Sequence, residues 1–482
     1  MVSSSLLHRC GTILATSIFA TTFSGKSVRD YVPRLSILRS NIWAAMPVFL
    51  VTMAGFLFAG NEVNAQSVSP QSVQTISVKD FGAKGDGSTN DRSAIQTAIN
   101  ATPPGGTLLV PPGQYLLNGS GTELILIGGK AITLSCSGWG ETKFIVAASV
   151  PNTTDVVRLQ GPSIGFVMQN CQFVPQSGTP ARNALNLDAT SAHNGQRIIA
   201  DFVLSHNNFG GFGGKGIATT FLTLTDGVFC GVIEKNEIVN GIALDRAGDL
   251  LTIRDNVLVG RGPGIMVNLV GPPTANELKI EHNAITTCSG GVVVKASGKL
   301  RLQDNYFEPG AACANLKSPN GALVELIGSS AAPLVGAVLD GNLYSMSPNT
   351  ADYAIYSDYT VGLLSLGDTF SFGQASQRGI KTTSHSINAT LDHSTSIGLD
   401  YKGLVSAGAP AVTMVMPNGV AANDTGEATT LHRDTVGTPK SLGPRDGDSC
   451  VTGAIFSDAQ YVYVCVTGSA NNTSTIKKAL LK

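Results

Sequence analysis

A short phrase recurs along the middle of the chain: an apolar residue, two variable residues, an asparagine, a variable residue and a second apolar residue. Its six copies carry the asparagines Asn207, Asn236, Asn256, Asn283, Asn305 and Asn342, at intervals of 29, 20, 27, 22 and 37 residues. This period, with one asparagine per repeat, predicts a parallel β-solenoid in which equivalent side chains stack from coil to coil as an internal ladder. Cys171 takes the asparagine position of an earlier coil, and fainter coils follow near residues 366–370 and 391–397.

A second phrase occurs in the same repeats as GIALD, GIMVN, GVVVK and GALVE. Because side chains alternate across a strand, its second and fourth residues should face the core and its third and fifth should face outward. The fifth residues predict one outward polar column, Asp245, Asn268, Lys295 and Glu325, and the third residues predict an apolar strip beside it, Ala243, Met266, Val293 and Leu323. Stacked strands are about 4.8 Å apart, so Lys295 should lie one strand from Glu325 and about 10 Å from Asp245.

Residues 76–117 follow an unusual order of elements. A short strand leads into a glycine-rich loop, and Asn90 or Asp91 could cap the helix that comes next. A PPGG turn ends this helix, and two strands joined by a PPG corner follow. The helix should bury one apolar face, formed by Ala94, Ile95, Ala98 and Ile99.

This segment, VKDFGAKGDGSTNDRSAIQTAI followed by GGTLLVPPGQYLL, resembles the N-terminal cap of the pectate-lyase-like superfamily, which includes rhamnogalacturonase relatives, phage tailspikes and polyuronate epimerases. The resemblance implies an all-β fold, a right-handed single-stranded parallel β-helix with a short N-terminal capping helix. It also implies a polysaccharide partner, bound on the wall of the β-helix. Members of the superfamily differ in their chemistry, so the motif is specific for a fold and not for a reaction.

The repeat pattern divides the chain into four parts. Residues 1–65 are interpreted as a leader, because the apolar run 42–60 precedes Val63-Asn64-Ala65, a small-residue cleavage signal before Gln66. This predicts a secreted protein, extracellular or periplasmic, although an uncleaved run 42–60 could anchor it in a membrane. Residues 66–402 form the predicted β-helix domain, with its N-terminal cap at 76–117. Residues 403–449 are predicted to be a terminal coil and connector, and 450–482 a small C-terminal β element.

Composition narrows the choice of partners. Charged residues make up 13% of the chain, which also contains 55 glycines, a profile of a turn-rich β protein. Without residues 1–65 the chain has 27 Lys and Arg against 31 Asp and Glu, a net charge of −4. This slightly acidic balance argues against nucleic acid as a partner. The pattern leaves the oligomeric state open.

Seven cysteines follow the leader and are disulfide candidates in an exported protein. Cys450 with Cys465 is the first predicted pair, and Cys288 with Cys313 is the second. An odd number leaves one thiol over. Spacings typical of zinc sites are missing from the sequence, so a dedicated zinc site is not expected.

The candidate chemistry centres on Lys295. Phrases that carry the aspartates of the polygalacturonase branch, and the Asp-Pro-His-Asp phrase of mannuronan epimerases, do not occur in the sequence. A lyase needs a basic residue to take the proton next to a uronate carboxylate and a cation to neutralise that carboxylate. Lys295, Asp245, Glu325 and Arg246 could supply these catalytic roles, with Asp245 and Glu325 as calcium ligands if the reaction uses calcium. Asn268, Tyr353 and Tyr356 are the candidate substrate-binding residues, although a spacing of three keeps the two tyrosines off one strand face.

Two less specific interpretations remain open at this stage. Lys295 and Glu325 could form only a surface ion pair, worth about 0 to 1 kcal/mol. The column Glu234, Arg254 and Glu281 alternates in sign, which predicts cross-strand pairing. Two function classes follow: a secreted polysaccharide lyase or glycosidase, and a non-catalytic β-helix that binds glycan or decorates a surface, as phage tailspikes do.

Overall fold

The computed structural model describes residues 74–177, 181–190, 197–221, 227–245, 250–268, 275–295, 298–387, 389–392, 394–397, 412–416, 430–433, 455–457, 461–467 and 475–480. Contacts divide the chain into two units, 1–73 and 74–482, and the described residues all belong to the second. The predicted leader and most of the predicted connector therefore lie outside the described residues. Among the described residues, no helix is long and apolar enough to cross a membrane.

The main body is a solenoid of three parallel sheets, and each coil adds one strand to each sheet. Sheet 1 contains Thr75–Ser77, Thr107–Val110, Thr133–Cys136, Val167–Gln169, Val203–Ser205, Val232–Glu234, Leu251–Arg254, Ala275–Glu281, Gly298–Gln303, Val338–Asp340, Leu364–Leu366, Ala389–Asp392, Val412–Met416 and Thr430–Arg433. Sheet 2 contains Asp86–Asn90, Gly113–Leu117, Thr142–Val146, Gln172–Pro175, Asn208–Phe209, Glu237–Val239, Val257–Gly260, Ala284–Thr287, Tyr306–Phe307, Leu343–Met346, Thr369–Phe372 and Thr395–Ile397. Sheet 3 contains Glu123–Gly128, Asp155–Gln160, Leu185–Ala189, Ile217–Phe221, Ile242–Asp245, Ile265–Asn268, Val292–Lys295, Ala322–Ile327, Tyr353–Asp358 and Arg378–Thr382. This arrangement confirms the predicted parallel β-helix.

Three smaller sheets complete the described strands. Two are parallel: Ser163–Ile164 with Ile198–Ala200 and Gly227–Phe229, and Leu334–Val335 with Thr360–Val361. The third is antiparallel and lies near the C-terminus, formed by Ile455–Ser457, Tyr461–Thr467 and Thr475–Leu480. Helical structure within the described residues is limited to Arg92–Ala101 and the short 3₁₀ turns Val78–Phe81 and Ala311–Cys313.

The asparagine ladder runs through the tight turn between sheets 1 and 2, as predicted. In each coil the asparagine side-chain amide and backbone N–H both donate to the Oδ1 atom of the next asparagine, at 2.8 to 3.1 Å, from Asn207 to Asn342. The residue before each asparagine has positive φ, for example Lys235 at 55°, which turns the chain between the sheets in two residues. Asp368 continues the ladder in the faint coil, where its Oδ1 accepts from Asn342 Nδ2 at 2.9 Å.

Stacked rings fill the core beneath sheet 2. Phe144, Phe173 and Phe209 stack at one end, with ring centroids 5.0 and 5.7 Å apart. Phe307, Tyr344 and Phe370 stack at the other, with centroids 5.0 and 5.1 Å apart. Because consecutive coils place equivalent residues one strand spacing apart, like side chains pack against like along the whole core.

The N-terminal helix covers the first edge of sheet 3. Ile95, Ala98 and Ile99 are buried and Ala94 packs beside them, which confirms the predicted apolar face. Gln96 bonds both the N–H and the carbonyl of Leu126 at 2.8 Å, so its amide replaces a neighbouring strand and protects the open edge. Asp91 is the N-cap residue of this helix, as one of the two predicted alternatives, but its side chain makes no cap hydrogen bond. Its carboxylate accepts instead from the backbone N–H groups of the glycine-rich loop, at Lys84 and Gly85.

Two disulfides link neighbouring coils. Cys288–Cys313 is the pair predicted for adjacent coils, and its Cα atoms are 4.7 Å apart. Cys136–Cys171 was not predicted; it joins the sheet 1 strand Thr133–Cys136 to the ladder position of the next coil. Cys171 therefore replaces the side-chain hydrogen bond of an asparagine with a covalent link, while its N–H still donates to Asn207 Oδ1 at 3.0 Å. The other predicted pair includes Cys450, which lies outside the described residues.

Candidate functional site

The longest connections between strands border the outer face of sheet 3. From the strand Val167–Gln169 onward, sheets 1 and 2 are joined by turns of two residues, such as Lys235 and Asn236, which leave no room for a cleft. The connection from sheet 2 to the strand Ala322–Ile327 spans residues 308–321. Since binding residues concentrate where loops flank a rigid scaffold, this face is the candidate functional surface.

Three polar residues align on neighbouring strands in the middle of this face. Asp245 pairs in register with Asn268, and Asn268 with Lys295. The register therefore confirms this part of the predicted column and places Lys295 two strand spacings, about 10 Å, from Asp245. Ala243, Met266 and Val293 align in the adjacent outward column. We refer to these six residues as the central strip.

The polar groups of the central strip have no partner among the described residues. Asp245 and Lys295 are exposed and Asn268 is half-buried, whereas Ile242 and Leu244 between them point into the core. Within the described residues, none of the three polar side chains has a hydrogen-bond or ion-pair partner. Free donors and acceptors beside an apolar strip can meet the hydroxyl groups and the ring face of a sugar at the same time.

Glu325 does not belong to the Lys295 column, so this prediction is wrong. It aligns with Val293, two positions away from the expected register. The strand Ala322–Ile327 follows the 308–321 connection. The glycine phrase predicted that Glu325 would pair with Lys295, but the strand is displaced by two residues along its neighbour. Because a shift of two residues keeps the same face, Glu325 still points outward.

The environment of Glu325 also differs from the predicted surface ion pair. Its side chain is buried, with 1% of the residue surface exposed. Its Oε1 accepts from the N–H of Asn320 at 3.0 Å and its Oε2 from Asn320 Nδ2 at 2.9 Å. Asn320 ends the 308–321 connection, so Glu325 anchors this segment to the sheet instead of pairing with Lys295.

The 308–321 connection forms a wall beside the central strip. Cys313 ties it to Cys288 in the previous coil. Lys317 Nζ lies 2.6 Å from Asp352 Oδ1, and Ser318 Oγ accepts from the N–H of Ala322 at 2.8 Å. Val293, which also points outward, is buried at 4% exposure.

A calcium site built from Asp245 and Glu325 does not match this geometry. The two carboxylates are in different columns, and both oxygens of Glu325 are already bonded to Asn320. Across the described residues, no three His, Cys, Asp or Glu side chains cluster closely enough to hold a metal ion. The structure therefore brings together Asp245, Asn268 and Lys295 but not Glu325. Arg246, the fourth predicted catalytic residue, lies outside the described residues.

The two candidate tyrosines lie on the same strand, Tyr353–Asp358, and both are half-buried. Tyr356 aligns with Glu325, whereas Tyr353 aligns with Ala322. Burial, together with the negative charges of Asp358 and Glu325, raises the pKa of Tyr356. Tyr356 thus lies two strands beyond Lys295, past the strand that carries Glu325.

A polar group that sequence reasoning missed occupies the N-terminal end of the same face. Arg158 donates through Nε and Nη2 to Asp188, and its Nη1 lies 3.3 Å from Glu123 Oε2. Asp155 is fully buried and accepts from Arg182 Nε, Asn183 Nδ2 and Asn186 Nδ2, each at 2.8 Å. We refer to Glu123, Asp155, Arg158, Arg182, Asn183, Asn186 and Asp188 as the paired cluster. In the sequence, Asn186 and Asp188 alternate with apolar residues in the phrase LNLDA, and this alternation could have indicated the cluster.

Hydrogen bonds hold the pKa of Asp188 in the paired cluster below its usual range. Burial by itself would raise the pKa of Asp188, but hydrogen bonds from Thr190 and Arg158 outweigh it and hold this pKa below its usual range. Every carboxylate in the cluster therefore has a protein partner, and the cluster is a structural element.

Stacked coils of three parallel sheets, with an asparagine ladder inside and loops around one outer face, define a parallel β-helix protein. The family model described as rhamnogalacturonase A/epimerase, pectate lyase-like, matches residues 75–315. The chain belongs to this family.

Solved structures similar to the chain share little of its sequence. Bacteriophage CBA120 tailspike protein 3 is 12% identical with a TM-score of 0.49, over 80% of this chain and 66% of that one. A mutant tailspike of E. coli bacteriophage HK620, in complex with a pentasaccharide, is 12% identical with a TM-score of 0.46, over 84% and 92%. The mannuronan C-5 epimerase AlgE4 A-module of Azotobacter vinelandii is 18% identical with a TM-score of 0.35, over 65% and 99%. No curated protein matches the chain.

Proposed function

We propose that this protein is an exported polysaccharide lyase that acts on a uronate-containing glycan at the central strip. The observation that carries the proposal is the row of three polar side chains, Asp245, Asn268 and Lys295, which have no partner in the described part of the chain and lie beside an apolar strip on the loop-bordered face. Family membership supports a polysaccharide as the partner. Two inter-coil disulfides support export, because disulfides persist in oxidising compartments.

The available groups favour elimination over hydrolysis. A glycosidase needs two carboxyl groups about 5 to 9.5 Å apart on either side of the scissile bond. Asp245 is the one carboxylate of the central strip, and the nearby Glu325 is buried in hydrogen bonds to Asn320. A lyase needs instead a base for the proton next to the uronate carboxylate. In this proposal Lys295 acts as the base.

In the proposed reaction Lys295, in its neutral form, takes the proton from the carbon that bears the carboxylate. The electron pair of that C–H bond forms a carbon–carbon double bond in the ring, and the bond to the linking oxygen breaks. The leaving oxygen takes up a proton from solvent and Lys295 releases the proton that it took, so the products are an unsaturated sugar end and a free hydroxyl. Asn268 and Asp245 would orient the sugar hydroxyls, and Arg246 is assigned to the substrate carboxylate from its sequence position alone.

A polysaccharide panel tests the reaction class. Both ultraviolet absorbance of unsaturated ends and release of reducing ends are measured with alginate, polygalacturonate and neutral glycans. We expect both signals on a uronate polymer, and both should be lost in Lys295→Ala. Lys143→Ala is the matched control, since Lys143 lies on the outer face of sheet 2. Reducing ends without ultraviolet absorbance would contradict elimination, and full activity of Lys295→Ala would place the site elsewhere.

A non-catalytic glycan-binding protein is the second candidate function. The paired cluster favours it, because every carboxylate there has a protein partner and no general acid or base remains free. On this alternative the panel would show binding of a glycan that Lys295→Ala weakens, with no release of ends from any polymer.

A further inference from the structure

The last two strands of sheet 3, with the residues that directly follow them, carry a second group of polar and aromatic side chains. We define the C-terminal patch as Tyr356, Asp358, Tyr359, Lys381 and His385. We propose that this patch is a separate binding subsite for an acidic sugar unit of the glycan. This proposal rests on the proposed function, because it assumes that a uronate polymer is the ligand.

Register places the aromatic and the cationic group side by side. Tyr356 on the strand Tyr353–Asp358 pairs with Lys381 on the strand Arg378–Thr382. Ile355 and Ile380, the residues before them, are fully buried, so Tyr356 and Lys381 point away from the core. A sugar that packs its ring face on Tyr356 would lie one strand spacing, about 4.8 Å, from the Lys381 backbone.

His385 is held in one orientation at the edge of the patch. Its Nδ1 lies 3.0 Å from Asp358 Oδ1, and Thr383 Oγ1 donates to the same oxygen. Its ring stacks on Tyr359, with centroids 4.1 Å apart and planes 9° from parallel. When Nδ1 donates to the carboxylate, Nε2 is left free on a side chain that is 49% exposed. An oriented imidazole on an aromatic support is a binding element that needs little further ordering.

The unpartnered group of the patch favours a ligand that carries a strong hydrogen-bond acceptor. The two carboxylates next to Tyr356 already accept hydrogen bonds within the protein. Glu325 is bonded to Asn320, and Asp358 is bonded to His385 and Thr383. Lys381 has no hydrogen-bond or ion-pair partner in the described part of the chain. Among the charged groups of the patch, Lys381 is therefore the one whose hydrogen-bond donors a ligand can bind, and a sugar carboxylate is the strongest acceptor that a glycan offers it.

The position of the patch explains why it would act as a separate subsite. Three strand spacings, about 14 Å, separate the strand of Lys295 from the strand of Lys381. The buried pair of Glu325 and Asn320 lies between them, so the wall at 308–321 divides the two areas. A short oligosaccharide bound at Lys295 would not reach Lys381, whereas a long one would extend over the wall and contact both.

Calorimetric binding of oligogalacturonides of two lengths to the full protein tests the proposal. We expect Lys381→Ala to weaken the binding of an octasaccharide by about tenfold or more, because it removes a charge-assisted contact. Binding of a trisaccharide at the central strip should change less than twofold. Lys381→Arg should restore most of the affinity, and His385→Ala should show a smaller loss with the same dependence on length. The carboxyl-reduced octasaccharide should not distinguish wild type from Lys381→Ala.

The outcomes separate this inference from the proposed function. If the wild type binds the octasaccharide and Lys381→Ala binds it equally well, the subsite is wrong while the proposed function stands. An equal loss for both lengths would also overturn it, because the change would then act on the fold or on the central strip. If the wild type binds no uronate oligosaccharide of either length, the proposed function fails and the subsite fails with it.

Discussion

The N-terminal end and the middle of sheet 3 both carry polar side chains, but these side chains are paired at the N-terminal end and unpartnered among the described residues in the middle. In the paired cluster, Arg158 and Arg182 satisfy buried carboxylates, and asparagine amides satisfy the remaining oxygens. In the central strip, Asp245 and Lys295 are exposed and have no partner among the described residues. Polar residues on one sheet can therefore serve stability at one end and ligand binding in the middle. Whether a charged side chain has a protein partner distinguishes a structural role from a binding role better than its residue type does.

The largest expected effect comes from breaking the paired cluster. Arg158→Met keeps an apolar stem but leaves Asp188, which is 1% exposed, buried without a cation. Removing one partner of a buried ion pair costs about 3 to 5 kcal/mol, so the free energy of unfolding should fall by that amount. Denaturant unfolding measures it, with Arg158→Met/Asp188→Asn as the control that removes the uncompensated charge. A single-variant loss below about 1 kcal/mol would mean that the cluster is not structural.

A buried carboxyl group without a cation should change the stability with pH in the opposite direction to the paired Asp188. Burial raises the pKa of Asp368 to about 6, although hydrogen bonds from Ser365 and Asn342 lower it in part. The folded protein therefore binds this proton more tightly than the unfolded chain. The stabilisation is complete below the unfolded pKa of about 3.9, and it is lost as the pH rises through about 6. The lowered pKa of Asp188 has the reverse effect, since its stabilisation is lost as the pH falls.

Asp368→Asn tests this second case. Asparagine would extend the ladder and remove the buried charge, so it should raise the free energy of unfolding by up to about 3 kcal/mol above pH 7. The gain should vanish below pH 4, where Asp368 is protonated in both states. Unfolding curves across this range measure the difference between variant and wild type. A gain that does not depend on pH would show that Asp368 does not carry the predicted charge.

An exposed ion pair gives a smaller effect than either buried carboxyl group. Glu234 and Arg254 face each other on sheet 1, as the alternating column predicted, with Arg254 Nη2 at 2.6 Å from Glu234 Oε2. The Arg254 side chain is 44% exposed, so Arg254→Ala should cost about 0 to 1 kcal/mol. Thermal unfolding at low and high salt is the measurement, and the small loss should shrink further at high salt. A loss as large as that of Arg158→Met would contradict the role given to burial.

The smallest effect on stability is expected in the central strip. Lys295 is exposed and has no partner in the described part of the chain, so Lys295→Ala should change the free energy of unfolding by less than about 0.5 kcal/mol. The same variant should lose turnover, which separates a functional residue from a structural one. A matched unfolding curve of Lys143→Ala gives the baseline. Marked destabilisation by Lys295→Ala would place this residue in the structural class.

The sequence by itself determined the elements that repeat with the coil. Asn207 to Asn342 stack as predicted because a two-residue turn of constant shape brings each asparagine to the same place. Asp245, Asn268 and Lys295 align for the same reason, since their strands follow equivalent glycine phrases without a long insertion. The Cys288–Cys313 pair also followed from neighbouring coils.

Only the tertiary structure decided what the connections do. The 308–321 segment shifts the strand of Glu325 by two positions and covers it, because a long connection does not have to preserve the register of a repeat. The paired cluster joins Arg158 to Asp188 across 30 residues, and no phrase in the sequence links them. Cys136 and Cys171 likewise meet because consecutive coils stack. Local patterns determine which way a side chain points, whereas stacking and connection length determine what it meets.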